Sequence, residues 1–296
     1  GYLHGKDSRL AWLAAFRRLS GRVLVESMGW REEYCVGPES DGWIVKGHEA
    51  GGAVGEDSAF ILLQQFLAQQ TRPVYVRGSV GRHGAAACHA IGAAGVVIDD
   101  QTLLLRESPV RESLAPLLST LVGNETVALG DPAQGRYFRV LDRPDFKAVK
   151  ALRTVVEQGG AEDWRRETVR LCGWIDSREQ LLPLGQAAAF AAVWAKDYGT
   201  VARALQAIER SVVDHPRQAL QAAALARGAP LALAHGTVYP IVQGPMTRVS
   251  DNSAFAQTVA EAGALPMLAL ALLKGEQVRD LLAETRERLG ERPWGV

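Results

Sequence analysis

Short apolar runs recur along the first hundred residues, at Arg22–Glu26, Gly42–Lys46, Pro73–Arg77 and Ala94–Ile98, each rich in β-branched residues and bounded by glycine or proline. Strands buried on both faces of a parallel sheet read this way. Before and between these runs, Ser8–Leu19, Ser58–Gln70 and His83–Ile91 carry apolar residues at helical spacing. Strand and helix therefore alternate, and the pattern predicts an α/β fold.

The pattern changes twice further on. Glu125–Gly130 and Arg136–Leu141 read as a short hairpin, and residues 1–143 form the first predicted region. Residues 144–235 are rich in Ala, Leu, Glu, Arg and Gln, with breaks near Gly159, Pro183, Gly199 and Pro216. That composition predicts a helical domain of about four helices. Residues 236–296 return to alternation: strand Tyr239–Gln243, helix Asn252–Ala262, strand Leu265–Leu270, helix Gly275–Leu289 and a strand start at Pro293–Val296.

Composition narrows the function classes. The chain has 296 residues, 47% of them hydrophobic, and its 33 basic residues balance 33 acidic ones, which favours neither a nucleic-acid partner nor a membrane surface. Its longest apolar run, Leu265–Leu273, falls short of the roughly 20 residues a spanning helix needs, and no leader pattern opens the chain. The expected location is the cytoplasm. Cys35, Cys88 and Cys172 are widely spaced and odd in number, so neither a disulfide framework nor a zinc site is expected.

The third region opens on Tyr239-Pro-Ile-Val-Gln-Gly-Pro-Met246, followed by Val249-Ser-Asp251 and Ala260-Glu-Ala-Gly263. This succession resembles the first strand and helix of the nitronate monooxygenase (2-nitropropane dioxygenase) family and of its relatives, the FMN-dependent enoyl-acyl-carrier-protein reductases. The resemblance implies a TIM-type (β/α)8 barrel, incomplete or permuted, with an inserted all-helical domain. On that reading residues 236–296 hold strands one to three, and the four N-terminal runs match strands five to eight. Either a circular permutation or a piece cut from tandem barrels gives this order, and tandem domains of this kind are a feature of polyketide and polyunsaturated-fatty-acid synthases. The two half-barrels are expected to join in one sheet, within the chain or by strand exchange in a homodimer, because open edges invite pairing.

Parallel barrels carry their sites on loops at the carboxyl ends of the strands. The resemblance places Gln243, Gly244 and Met246 along the flavin ring. Lys46-Gly-His-Glu-Ala-Gly-Gly-Ala-Val54 offers Gly51 and Gly52, whose missing Cβ lets backbone approach a planar ligand. Relatives carry a histidine after the two glycines; here Ala53 stands there and cannot move a proton, which leaves His48 as the nearby candidate acid or base. Arg77-Gly-Ser-Val-Gly-Arg-His-Gly84 leads into a helix, and Gly78, Ser79, Gly81 and Arg82 suit a phosphate at the helix N-terminus. Relatives close that cup with Gly-Thr, whereas this chain has Asp99-Asp100, whose charges would cost phosphate affinity unless Arg77 or Arg82 neutralised them. Leu182-Pro-Leu-Gly-Gln186 resembles a turn that borders the flavin, and Trp174, Trp194 and Tyr198 are candidates for a substrate cleft or for core.

Two functions follow. One is an FMN-dependent oxidoreductase, reduced by NAD(P)H or by a nitronate, passing electrons to an acyl-thioester substrate or to dioxygen, inside a synthase whose other domains are its partners. The other is a barrel-derived scaffold or docking module that keeps the fold without the catalysis.

Overall fold

A computed structural model describes residues 15–19, 21–30, 40–159 and 161–296. Gly1–His4, Cys35 and most of the helix expected at Ser8–Leu19 lie outside them; residues 15–19 are helical. The chain divides into two compact units, Gly1–Pro216 and Arg217–Val296. No helix among the described residues is long and apolar enough to cross a membrane.

The first unit is built on a four-stranded sheet of order β1-β2-β4-β5, with β1 Leu24–Ser27, β2 Gly42–Lys46, β4 Val74–Arg77 and β5 Gly95–Val97. Every pairing in it is parallel, with Lys46 opposite Arg77 and Arg77 opposite Val97. All four strands expected in the N-terminal half are therefore present within a residue or two. Helix Ala59–Gln69 covers the sheet and buries Leu62, Leu63 and Phe66 against Trp43, Val45, Val74 and Val76. Each such side chain contributes about 1.5–3 kcal/mol by leaving water. The helix starts where Ser58 accepts a hydrogen bond from the Ile61 amide, and the Glu49 carboxylate receives the Ala59 amide at 3.1 Å. Helix Arg82–Ile91 ends at Gly92, whose φ of 116° suits a residue without a Cβ.

A second sheet is antiparallel and has the order β3 (Gly52–Val54), β7 (Arg136–Leu141), β6 (Thr126–Asp131). Its hairpin, β6 Thr126–Asp131 and β7 Arg136–Leu141, matches the expected one. The added strand β3, Gly52–Val54, comes from the Gly-Gly turn and is too short to announce itself in the sequence. Helix Arg111–Leu118 precedes the hairpin and helices Lys147–Gln158 and Ala161–Leu171 follow it, and Leu118, Leu141, Leu152, Leu181, Leu182 and Leu184 are buried together around this sheet. Helix Val201–Ala222 runs through Pro216, where a break was expected. A proline lacks its own N–H bond and crowds the preceding turn, but the rest of a 22-residue helix carries it through.

The second unit has strands β8 Val242–Gln243 and β9 Leu265–Pro266, which pair in parallel and are extended by a bridge from Met267 to Gly295. Helix Ser253–Glu261, capped by Asn252, and helix Gly275–Leu289 pack over Leu268 through Ala256, Leu281 and Leu289. The described strands thus form three separate sheets, and none closes into a barrel. The strands expected at Tyr239–Gln243 and Leu265–Leu270 shrink to two residues each, because too few neighbours supply ladder bonds to extend them.

Candidate functional site

The carboxyl ends of the parallel strands converge on a cluster of charges. Glu26 from β1, Lys46 from β2, Arg77 from β4 and the pair Asp99-Asp100 beyond β5 each come from a different strand. Arg77 bridges two carboxylates: its Nη1 lies 2.7 Å from Glu26 and its Nε 2.9 Å from Asp99. Arg77 therefore pairs with Asp99, one of the two carboxylates a phosphate would meet, and shares its charge with Glu26. Arg82 is exposed and donates through Nε to His83 at 3.2 Å.

Asp100 does not face solvent. It is 8% exposed and accepts the Gly185 amide at 2.6 Å. Burial, followed by the negative charge of Asp99, pushes its carboxyl up to about 7, against the pull of the Gly185 amide, Arg77 and Lys46. Lys46 is 4% exposed, and burial lowers its amine below the usual lysine range. Its ammonium makes one ion pair, to Glu26 at 3.7 Å, and no hydrogen bond among the described residues. Asp99-Asp100 entered the sequence argument only as a cost to phosphate, and Lys46 only as the end of a strand. The signal for both was a charged residue closing an apolar run.

The glycine pair beside this cluster meets backbone. A Cβ on Gly51 would sit 2.2 Å from the Pro183 carbonyl oxygen, and one on Gly185 would sit 2.5 Å from the Gly51 nitrogen. Neither position tolerates a side chain without a shift of main chain. The segment Leu182-Pro-Leu-Gly-Gln186 therefore lies directly on the turn, with the Gln186 amide donating to the Glu49 carbonyl at 3.0 Å. Gly52 has a φ of 75°, and a Cβ there would lie 3.9 Å from Lys46 Nζ.

His48 is half-buried. Its Nδ1 lies 2.5 Å from the Gly55 carbonyl oxygen, and its ring meets Tyr137 edge-on. A proton on Nδ1 makes that contact a hydrogen bond and leaves Nε2 as the acceptor. Ala53 pairs with Phe138 in the β3-β7 ladder. Arg139, buried and lowered by burial, donates to the His48 carbonyl at 2.7 Å and to Thr126 at 2.9 Å. It pins the loop from beneath.

The loop after β4 has a different character. Gly78 takes a φ of 136° and Ser79 one of 48°, a conformation a serine adopts only under constraint. Ser79 Oγ is buried without a hydrogen-bond partner. Gly81 precedes helix Arg82–Ile91 with no side-chain cap, and a Cβ at Gly81 would meet nothing within 4 Å. An orphaned hydroxyl beside uncapped helix amides fits an anionic group such as a phosphate.

In the second unit, Gln243 accepts the Met267 amide at 3.1 Å through its side-chain oxygen, and its side-chain nitrogen donates to Gly244. Gly244 has open space around it. Met246 is 48% exposed, and its amide donates to Ser250 at 2.8 Å. Of the candidate aromatics, Trp194 is core and stacks edge-on with Tyr198. Trp174 lines an open cleft of about 460 Å³ with Leu103, Pro109, Val110 and Val201.

No protein-family model matches this chain, and neither does any curated sequence. Solved structures do. FabK from Thermotoga maritima superposes with a TM-score of 0.58 at 20% identity, over 71% of this chain and 67% of that one. The chain shares the FabK fold. A nitroalkane oxidase from Streptomyces ansochromogenes follows at TM-score 0.47 and 20% identity, over 73% of this chain and 62% of that one. The enoyl reductase domain of MlnA, from the macrolactin cluster of Bacillus amyloliquefaciens, gives 0.45 at 12% identity, over 64% and 60% of the two chains. These two likenesses are too low to bear an argument. The chain thus spans about two-thirds of the FabK chain and less of the other two. The FabK likeness agrees with the sequence resemblance at the level of fold, and a fold by itself does not fix an activity.

Proposed function

We propose that this chain is an FMN-dependent oxidoreductase domain of the nitronate monooxygenase or enoyl reductase type, working within a polyketide or fatty-acid synthase. The observation that carries this reading is the loop Gly78–Arg82. On a FabK-like fold, at the carboxyl end of a parallel strand, it presents a buried unpaired hydroxyl and an uncapped helix start. Ser79 Oγ and the first amides of helix Arg82–Ile91 would hold the phosphate, and Arg82 would add charge from the exposed side. Bound FMN would supply the redox chemistry, taking electrons from NAD(P)H or a nitronate.

The protein's own groups set the surroundings. Arg77 holds Glu26 and Asp99 in ion pairs, which fixes both carboxylates in place and offsets part of their charge. Pro183–Gly185 seals the Gly51-Gly52 turn against water. His48 Nε2 is the imidazole nitrogen open to accept a proton. The scaffold reading has its own support in Ala53, which occupies a ladder position and offers no proton.

The visible absorption spectrum of the purified chain tests the proposal. Flavin bands near 370 and 450 nm that survive gel filtration support it, and a colourless protein that takes up no added FMN defeats it in favour of the scaffold.

A further inference from the structure

Lys46 carries an ammonium whose donors the chain's own groups leave largely unused among the described residues. Its ammonium is 4% exposed, its ion pair to Glu26 is long at 3.7 Å, and no acceptor among the described residues takes a hydrogen bond from it. An ammonium held on a buried side chain by one long ion pair keeps donors for a further acceptor, and a second anion there would offset part of its desolvation. Arg77, one strand over, is by contrast fully engaged with Glu26 and Asp99. Gly52 contributes no side chain above Nζ, where a Cβ would lie at 3.9 Å, so bare backbone borders the amine on that side.

The geometry points to Lys46 as the binding group for a conjugated oxyanion, a nitronate, enolate or carboxylate, seated at the carboxyl-end mouth of the parallel sheet, with Asp100 taking up a proton as the anion arrives. This rests on the oxidoreductase reading for the chemical class of the ligand, and on Lys46 itself for the site. The charge balance explains the proton. Glu26, Asp99 and Asp100 together outnumber Lys46 and Arg77, so a further anion would be repelled if every carboxylate stayed ionised. Asp100 is the member that can yield: burial and Asp99 push it up to about 7, so near neutrality it is divided between its two forms. The Gly185 amide, the contact that comes from the 182–186 segment, carries no net charge and is kept by either form. Binding at Lys46 then draws a proton from solvent onto those molecules in which Asp100 is still ionised, about half of them at pH 7, and total charge is conserved. Lys46 would thereby supply, through a bound oxygen, the positive group that Ala53 cannot supply through a proton.

Isothermal titration calorimetry of the purified protein under argon tests this, using propyl-2-nitronate and its unreactive carboxylate analogue isobutyrate as probes. Both should bind the wild type, and Lys46→Met should weaken them at least tenfold in a protein whose circular dichroism spectrum shows that it remains folded. Lys46→Arg should recover part of the affinity. Repeating the wild-type titration at pH 7 in buffers of different ionisation enthalpy should show net proton uptake, absent in Asp100→Asn. Isobutyrate binding that is equal in wild type and Lys46→Met, or missing from the wild type, overturns the inference, and unchanged proton uptake in Asp100→Asn removes Asp100 from it. Lys46-dependent binding by a protein that never takes up FMN would uphold this site while defeating the flavin reading, and a yellow protein whose anion affinity ignores Lys46 would do the reverse.

Discussion

Two glycine-bearing loops, each following a parallel strand, read alike in the sequence and are used in opposite ways. The loop after β2 is closed: Gly51 lies where a Cβ would strike the Pro183 carbonyl oxygen at 2.2 Å, and Glu49, His48 and Arg139 are all tied to neighbouring backbone. The loop after β8 is open, with nothing within 4 Å of a Cβ on Gly244 and Met246 half in solvent. Glycine in the first loop answers a packing demand inside the first unit. In the second it leaves backbone bare, which is what a ligand approaching Gln243 and Met246 would need. A glycine in a loop therefore carries functional meaning only after its neighbours are known.

The strongest way to break this comparison is to add a methyl group to each loop. Gly51→Ala and Gly185→Ala should each cost about 3 kcal/mol or more, because the obstructing atoms are backbone and cannot rotate away. Urea denaturation measures it, and a loss under about 1 kcal/mol would show that the Pro183–Gly185 segment does not pack on this turn.

Next in size is the pH response of the closed region. The folded-state carboxyl of Asp100 lies above its ordinary value of 3.8, at about 7. The native state therefore binds more protons than the unfolded chain between those values, and stability falls as pH rises through that window. Asp100→Asn, which keeps an acceptor for the Gly185 amide, should gain roughly 1–3 kcal/mol at pH 8 and nothing below about pH 4. Parallel stability curves for the two proteins from pH 4 to 8 would contradict the burial of that carboxyl.

A smaller effect is expected at the loop after β4. Arg82→Ala should weaken FMN retention roughly tenfold, as loss of a charge-assisted contact predicts, with little change in melting temperature because the side chain is exposed. Unchanged retention, measured by flavin fluorescence on dilution, would remove Arg82 from phosphate binding. The smallest stability change should come from Gly244→Ala, within about 0.5 kcal/mol. A reduced flavin content with intact stability would mark that open loop as a cofactor contact. A large loss of stability would erase the contrast between the two loops.

Much of the architecture was legible in the chain itself. Four parallel strands, the hairpin, helix Ala59–Gln69 with its Ser58 cap and helix Gly275–Leu289 all follow from apolar runs, helical spacing and punctuation, because these are local properties. So was the likeness to a flavin-enzyme fold, carried by Gln243-Gly-Pro-Met246 and the Gly-Gly turn. What escaped was set by distant partners. Strand β3 exists because β7 offers it a ladder, and Pro216 stays in a helix because the residues around it outweigh one lost bond. The pairing of Arg77 with both Glu26 and Asp99 joins positions 51 and 22 residues apart. Burial decided the rest. Asp100 and Lys46 read as ordinary charges until folding removed their water, and removal of water is what shifts a titration and leaves a donor without an acceptor. The sequence determined which segments form strands and helices; the tertiary structure decided which of their charges matter, because desolvation depends on what packs above a residue and not on its neighbours along the chain.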